Sequence, residues 1–271
     1  MSSVSGKRVF VVAEDAGRGE AQFFLLHLLR HLDAEGADVD LFVWSGGGLL
    51  DEYAKVARVR DLDDLNRWLV ARFCERLRLR RVGQALKGLR LRWWLRGTTG
   101  ADVGYLSGAE AARICGFLPA DGPPLVTHLH GTRGLQDLAP GDRAVVLDRT
   151  GRFVASSEEA HDDLVTGHDV PAERVQRQDY LLLVDALALS SDDPPTRAGL
   201  GIPDEAVVVA GAGTPDWWAT PDPFVLMAWD VARRVDGVDP WFLWIGPDSG
   251  ERELWPLRHD LRNAGIEDRS R

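Results

Sequence analysis

"RVFVVAEDAGRGEAQFFLLHLLRHL", residues Arg8–Leu32, decides the fold of this chain. Val9 to Ala13 form an apolar run with no polar residue between them, the pattern of a strand buried on both faces, as parallel sheets require. A polar turn carrying Gly17 and Gly19 follows. From Glu20 onward Phe23, Phe24, Leu25, Leu28, Leu29 and Leu32 recur at helical spacing. Glu20 places a negative charge where the partial positive end of a helix wants one. Strand, glycine turn and helix together make the first half of a βα unit.

The same alternation continues along the chain. Further strands are predicted at 39–44, 56–59, 102–106, 125–130 and 153–156, with helical stretches between them. Residues 176–197 break the rhythm, joining the apolar "YLLLV" to the turn-rich "SSDDPPT", and read as a linker. The βα pattern then restarts with a strand at 206–210, a helix at 221–235, a strand at 241–245 and a helix at 251–264. The expected class is α/β, a doubly wound, Rossmann-like parallel sheet over 1–175. The start of a second Rossmann-like domain is expected over 198–271. Two strands leave that second sheet with open edges.

Composition sets limits on function. With 32 basic against 42 acidic residues the chain carries a net charge of -10, which argues against a general nucleic-acid binder. Cys74 and Cys115 are its two cysteines, too few for a disulfide framework or a thiolate metal site, and they fit a reducing, cytoplasmic setting. The N-terminal apolar run is too short for a signal peptide or a membrane span.

Three stretches offer chemistry. The turn Gly17-Arg18-Gly19 resembles a dinucleotide fingerprint, but Gln22 stands where the third glycine belongs, so a tight turn admitting a ligand or another domain is the simpler reading. "VTHLHGT" puts His128 and His130 on one face of a strand end, because side chains two apart point the same way. They could be a structural pair, a metal-dependent hydrolase site, or one functional imidazole, of which His130 is favoured because Gly131 opens space beside it. Residues 72–96 hold nine basic residues and one acid, Glu75, with leucines and Trp93–Trp94 interleaved. They suit either an anionic membrane surface or a solvated helix face packed by leucines, and Gly83 and Gly88 speak against one uninterrupted helix. No GxSxG elbow, Walker loop or cysteine nucleophile context is present.

Taken in order, these pieces resemble a GT-B glycosyltransferase of the large retaining family 4, also called group 1. "GRGEAQFFLLHLLRHL" is similar to that family's first glycine turn and helix, and "SGGGLLDEY" to its second turn. "PPLVTHLHG" resembles its acceptor-side histidine strand and "RFVASSEEAHDDLV" a typical strand and helix. "AGLGIPDEAVVVAGAGTPDWW" and "WFLWIGPDSGERELWPLRHDLRNAGIEDR" resemble the opening of its donor domain. The resemblance implies an acceptor-binding first domain and a second domain that binds a nucleotide-sugar as substrate. Transfer then takes place in a cleft, to a glycan or lipid-linked acceptor, with no obligatory metal or other cofactor. It assigns Gly17, Gly19 and Glu20 to the acceptor side, His130 to the reacting centre, and Gly213 and Thr214 to the donor diphosphate.

Two departures qualify this. "GTPDWWATPDPF", Gly213–Phe224, has Trp218-Ala219-Thr220 where the family has a basic run, so no Lys or Arg faces the departing diphosphate from this loop. The family's Glu-x7-Glu segment would lie beyond Arg271. The expectation is therefore a truncated, weak or inactive transferase in the cytoplasm, with peripheral contact to the inner membrane face through 72–96. A non-catalytic glycan- or partner-binding protein on the same fold is the alternative from another class.

Overall fold

A computed structural model of the chain describes residues 4–67, 80–131, 134–179, 196–213, 222–234, 237, 239–246 and 251–271. The chain divides into two compact units, Met1–Leu183 and Val184–Arg271.

In the first unit seven parallel strands form one sheet in the order β3-β2-β1-β4-β5-β6-β7. They are β1 (Arg8–Asp15), β2 (Asp38–Ser45), β3 (Arg58–Asp61), β4 (Val103–Ser107), β5 (Leu125–Leu129), β6 (Thr150–Ala155) and β7 (Val175–Arg177). The order reverses between β1 and β4, which makes that junction the switch point of a doubly wound sheet. β1 pairs with β2 on one side and β4 on the other, and Val9 to Ala13 are at most 5% exposed. Its side chains alternate between two cores. Val9, Val11 and Ala13 pack with Leu25 and Leu29 of helix α1 (Glu20–Ala34) and with Tyr53 of α2 (Leu50–Ala54). Phe10 and Val12 face the other layer. That layer holds Leu65 of α3 (Asp63–Arg67), Leu91 and Leu95 of α4 (Arg80–Leu95), the short α5 (Ala109–Ala112) and Val146 of α6 (Pro140–Arg149). A further short helix, α7 (Glu158–Asp162), starts at Ser157, whose hydroxyl caps it by accepting the Ala160 N–H.

β7 pairs with β6 and takes in Gln176 and Arg177, the first two residues of the predicted linker; residues 180–195 lie outside the described residues. A three-residue strand has too little pattern to announce itself, and its register partner Phe153 is what places it. α4 is one continuous helix in spite of Gly83 and Gly88. Burial of Leu91 and Leu95, 3% and 0% exposed, outweighs the glycine cost of about 1 kcal/mol each.

The second unit has strands β8 (Val207–Ala212) and β9 (Pro240–Ile245), which pair in parallel, and helices α8 (Asp222–Arg234) and α9 (Glu251–Asn263). Its core gathers Val225, Ala228, Phe242, Leu257, Leu261 and Ile266. The sequence predicts two strands here, and the structure adds the start of a third. Ser270 bridges Phe242 in parallel, the Arg271 N–H donates to the Phe242 carbonyl, and Arg271 accepts from the Trp244 N–H.

Gly47 holds the β1 and β2 turns together, since a Cβ there would stand 2.2 Å from the Ala16 carbonyl oxygen. Gly47→Ala is expected to cost on the order of 2 kcal/mol, read as a lowered urea midpoint at constant slope. Gly141→Ala, in the first turn of α6 with nothing near its Cβ position, is expected to gain about 0.5–1 kcal/mol. Equal effects at the two positions would overturn this account of the turns.

Candidate functional site

The ends of β1, β4 and β5 meet on the carboxyl edge of the first sheet, at its switch point. Each contributes a loop. After β1 the Asp15 carboxylate accepts the Gly17 N–H at 2.6 Å and the Gln22 side-chain amide at 2.9 Å, so Gln22, which spoils the dinucleotide fingerprint, instead ties the turn to α1. Gly19 is the N-cap of α1 in an extended conformation and supplies no side-chain cap, while Glu20 stands exposed in the first helical turn. A Cβ on Gly17 would lie 2.8 Å from Asp15 Oδ1 and one on Gly19 would lie 2.4 Å from Gln22 Oε1, so a side chain at either position would displace the Asp15–Gln22 pair that ties the turn.

His128 and His130 lie at the end of β5 and just past it, on the side that α1 covers. Their ring centroids are 4.2 Å apart. Phe24, one turn into α1, meets His128 edge-on at 5.2 Å and His130 at 6.2 Å, which brings the glycine turn and His130 into one neighbourhood. β4 orients both rings. The pairing of Ser107 with His128 sets the register, and it puts the Tyr105 hydroxyl 2.6 Å from His128 Nδ1 and the Ser107 hydroxyl 3.0 Å from His130 Nε2. Tyr105 and Ser107 were not singled out from the sequence. Their spacing of two matches that of the histidines, but strand order and register are needed to see it.

Burial governs the electrostatics here. It pushes His130 down to about 4 and, together with the neighbouring ring, His128 down to about 3. Both rings are neutral near pH 7. A neutral imidazole donates at one nitrogen and accepts at the other, so His130 can hydrogen-bond a hydroxyl, but it offers no positive charge and is a poor general base. Among the described residues no cluster of three or more His, Cys, Asp or Glu side chains is assembled for a metal ion.

Beside the switch point, an open cavity of about 610 Å³ is lined by Glu14, Asp15, Trp44, Glu110 and Arg113, among others. Burial raises the Glu14 carboxyl above its usual range, although it accepts the Glu110 N–H at 2.9 Å. Gly108, with φ of 101°, leaves room for that carboxylate, for a Cβ there would sit 2.1 Å from Glu14 Oε1.

In the second unit Gly213 follows β8 directly. Its N–H donates to the Ile245 carbonyl at 2.9 Å and its carbonyl accepts the Trp244 indole N–H at 3.1 Å. The Gly213 amide is therefore already engaged, and donors for an anion would have to come from the residues after it. Thr214 and the stretch through 221 lie outside the described residues. The basic stretch 72–96 is described from residue 80 on.

The neutral histidines make stability pH-dependent. Their folded-state values lie below the unfolded value near 6.5, so the unfolded chain binds more protons in acid. Stability is complete above about pH 6.5 and falls as pH drops toward 4, by up to about 1.4 kcal/mol per pH unit for each ring. Tm measured from pH 7 to pH 4.5 is expected to fall more steeply for the native chain than for His128→Gln/His130→Gln. Parallel curves would remove the histidines as the cause.

A family model described as Glycosyltransferase Family 4 matches residues 21–177, more than half of the chain. No curated protein sequence matches it. Among solved structures the chain is similar to Anabaena Alr3699/HepE in complex with UDP, at 14% identity and a TM-score of 0.67, over 97% of this chain and 68% of that one. It is also similar to a glycosyltransferase from Rickettsia africae, at 11% identity and TM-score 0.62, over 98% and 68%. A putative UDP-N-acetylglucosamine 2-epimerase from Listeria monocytogenes matches at 13% and 0.56, over 100% and 68%. Likeness at such identities speaks to the fold, shared by transferases and epimerases alike. With a parallel sheet in doubly wound order, a histidine at its switch point and a family match running from α1 to β7, the chain belongs to Glycosyltransferase Family 4.

Proposed function

We propose that this protein transfers a sugar from a nucleotide-activated donor, bound as substrate rather than as a resident cofactor, to a hydroxyl of a glycan or lipid-linked acceptor. The observation that carries the reading is His130, neutral, oriented by Ser107 and set beside the N-terminal turn of α1. In this reading His130 hydrogen-bonds a hydroxyl of the transferred sugar, and Gly17, Gly19 and Glu20 frame the acceptor. The turn through Gly213 and Thr214 approaches the diphosphate. Structures similar in fold hold UDP and UDP-glucose, which supports a uridine diphosphate sugar as the first donor to try. A lipid-linked acceptor would place the reaction at the cytoplasmic face of a membrane.

Transfer by this chain is proposed to be slow. A departing diphosphate develops negative charge, His130 is uncharged, and the loop Gly213–Phe224 contains no Lys or Arg. Lack of one preorganised electrostatic contact lowers turnover by about 10²-fold or more. The same lack favours a second reading, a non-catalytic glycan-binding protein on a transferase fold.

Release of UDP from UDP-glucose by the purified chain, followed in a coupled assay with and without added oligosaccharide, tests both. Slow release that drops at least about tenfold in His130→Ala, with UDP affinity unchanged, is the expected result. Turnover at ordinary enzyme rates would overturn the slow-transfer reading. Glycan binding without nucleotide binding would favour the non-catalytic one.

A further inference from the structure

We propose that Ser107 is a positioning residue that holds the His130 imidazole in the tautomer carrying its proton on Nδ1; its consequence for turnover rests on the transferase reading above. The Ser107 hydroxyl and His130 Nε2 are 3.0 Å apart, close enough for one hydrogen bond, and either atom could donate. Burial decides between them. Ser107 ends β4, is 5% exposed, and its hydroxyl has no other hydrogen-bond partner among the described residues. Were the proton on Nε2, Ser107 would accept it, and its own O–H would be buried with nothing to receive it, an arrangement that costs free energy. When the hydroxyl donates to Nε2 instead, both groups are satisfied by the same bond. A neutral imidazole that accepts at Nε2 carries its hydrogen on Nδ1, and burial, which lowers His130 to about 4, keeps the ring neutral near pH 7.

Strand register makes the arrangement firm. Ser107 stands opposite His128 in the β4–β5 pairing, so its hydroxyl meets the histidine two residues further on, on the same face. The His128 ring at 4.2 Å and the Phe24 ring at 6.2 Å confine the same imidazole. Of the two ring nitrogens Nε2 is the one farther from the backbone, and it is turned toward β4. Nδ1 therefore stays near the main chain, where β5 gives way to Gly131. That turn is open: Gly131 has φ of 89°, and a Cβ there would meet nothing within 4 Å. In the proposed transfer Nδ1–H is the group that His130 brings to a sugar oxygen. It donates a hydrogen bond and takes no proton, so His130 orients a sugar and does not deprotonate the acceptor hydroxyl.

Long-range proton–nitrogen correlation spectra of the full chain, labelled with nitrogen-15 in its histidines and held at neutral pH, read the tautomer directly. His130 is assigned by the signals lost in His130→Gln. The native chain is expected to show a pyrrole-like Nδ1 and a pyridine-like Nε2 at His130. Ser107→Ala is expected to replace that pattern by a mixture of both tautomers, and Ser107→Thr, which keeps the hydroxyl, to restore it. A native ring protonated on Nε2, or a pattern that Ser107→Ala leaves unchanged, would overturn the proposal. In the UDP-release assay Ser107→Ala is expected to lower kcat at least about threefold with the KM for UDP-glucose unchanged. Ser107→Ala/His130→Ala is expected to be no slower than His130→Ala alone, because a support matters only while the ring it supports is present. Losses that multiply in the double variant would count against a role through His130. The spectra need no turnover, so the two readings fail separately: a native Nδ1–H ring in a chain that releases no UDP would sink the transferase reading and leave the tautomer assigned, and turnover with an Nε2–H ring would do the reverse.

Discussion

The central constraint is the double pairing of β1. Hydrogen-bonded to β2 on one side and β4 on the other, with Val9 to Ala13 buried on both faces, it must pass directly from a dry interior into a turn at its carboxyl end. Space for that turn is short. The Ala16 carbonyl accepts the Leu49 N–H at 2.8 Å and the Ala16 N–H donates to the Ser45 carbonyl, so the β1 and β2 turns are stitched into one shelf. Gly47 is a glycine because backbone atoms of Ala16 and Gly17 occupy the place where its Cβ would be. A shelf of that kind keeps backbone close to whatever the switch point binds.

Because the strand order reverses here, β4 and β5 continue the sheet away from β1 and deliver Ser107 and His130 to the same edge. β1 was the clearest strand in the sequence because a parallel strand buried on both faces reads as a short, unbroken apolar run, whereas β3, RVRD and largely unburied, was expected two residues early at 56–59. What escaped notice was whatever depends on pairing. β7 is three residues long with two of them exposed, and the Ser270 bridge to Phe242 has no run of its own. In the site, His128 and His130 stood out by residue type, whereas Tyr105 and Ser107 are unremarkable until register sets them opposite. Glu14, buried beside Gly108, follows the same logic, since its neighbour comes from 96 residues further along.

Local propensity was overruled once. Gly83 and Gly88 argue against a continuous helix, yet α4 persists over the described residues because its inner face is anchored by Leu91 and Leu95. The anchoring fixes which way the remaining residues point. Once Leu91 and Leu95 face inward, Val82, Leu89 and Trp93 turn outward, 48%, 63% and 66% exposed, so their exposure is a consequence of how the helix is held.

Electrostatics divides the labour of the first unit. Near the switch point burial keeps both imidazoles neutral near pH 7 and raises the Glu14 carboxyl above its usual range, so the histidine pair offers hydrogen bonds and no positive charge. Elsewhere in the same unit α4 carries basic residues and no acid, whereas Arg8 and Arg58 are paired with Asp40 and Asp38. In the proposed transfer His130 would bring no charge to an anionic leaving group, and the loop Gly213–Phe224 has no Lys or Arg of its own to bring one. The Gly213 amide is already spent on the Ile245 carbonyl. Slow transfer, as proposed, would have its physical reason in the electrostatics of the loop after β8, where the negative charge of a departing diphosphate meets no side-chain cation.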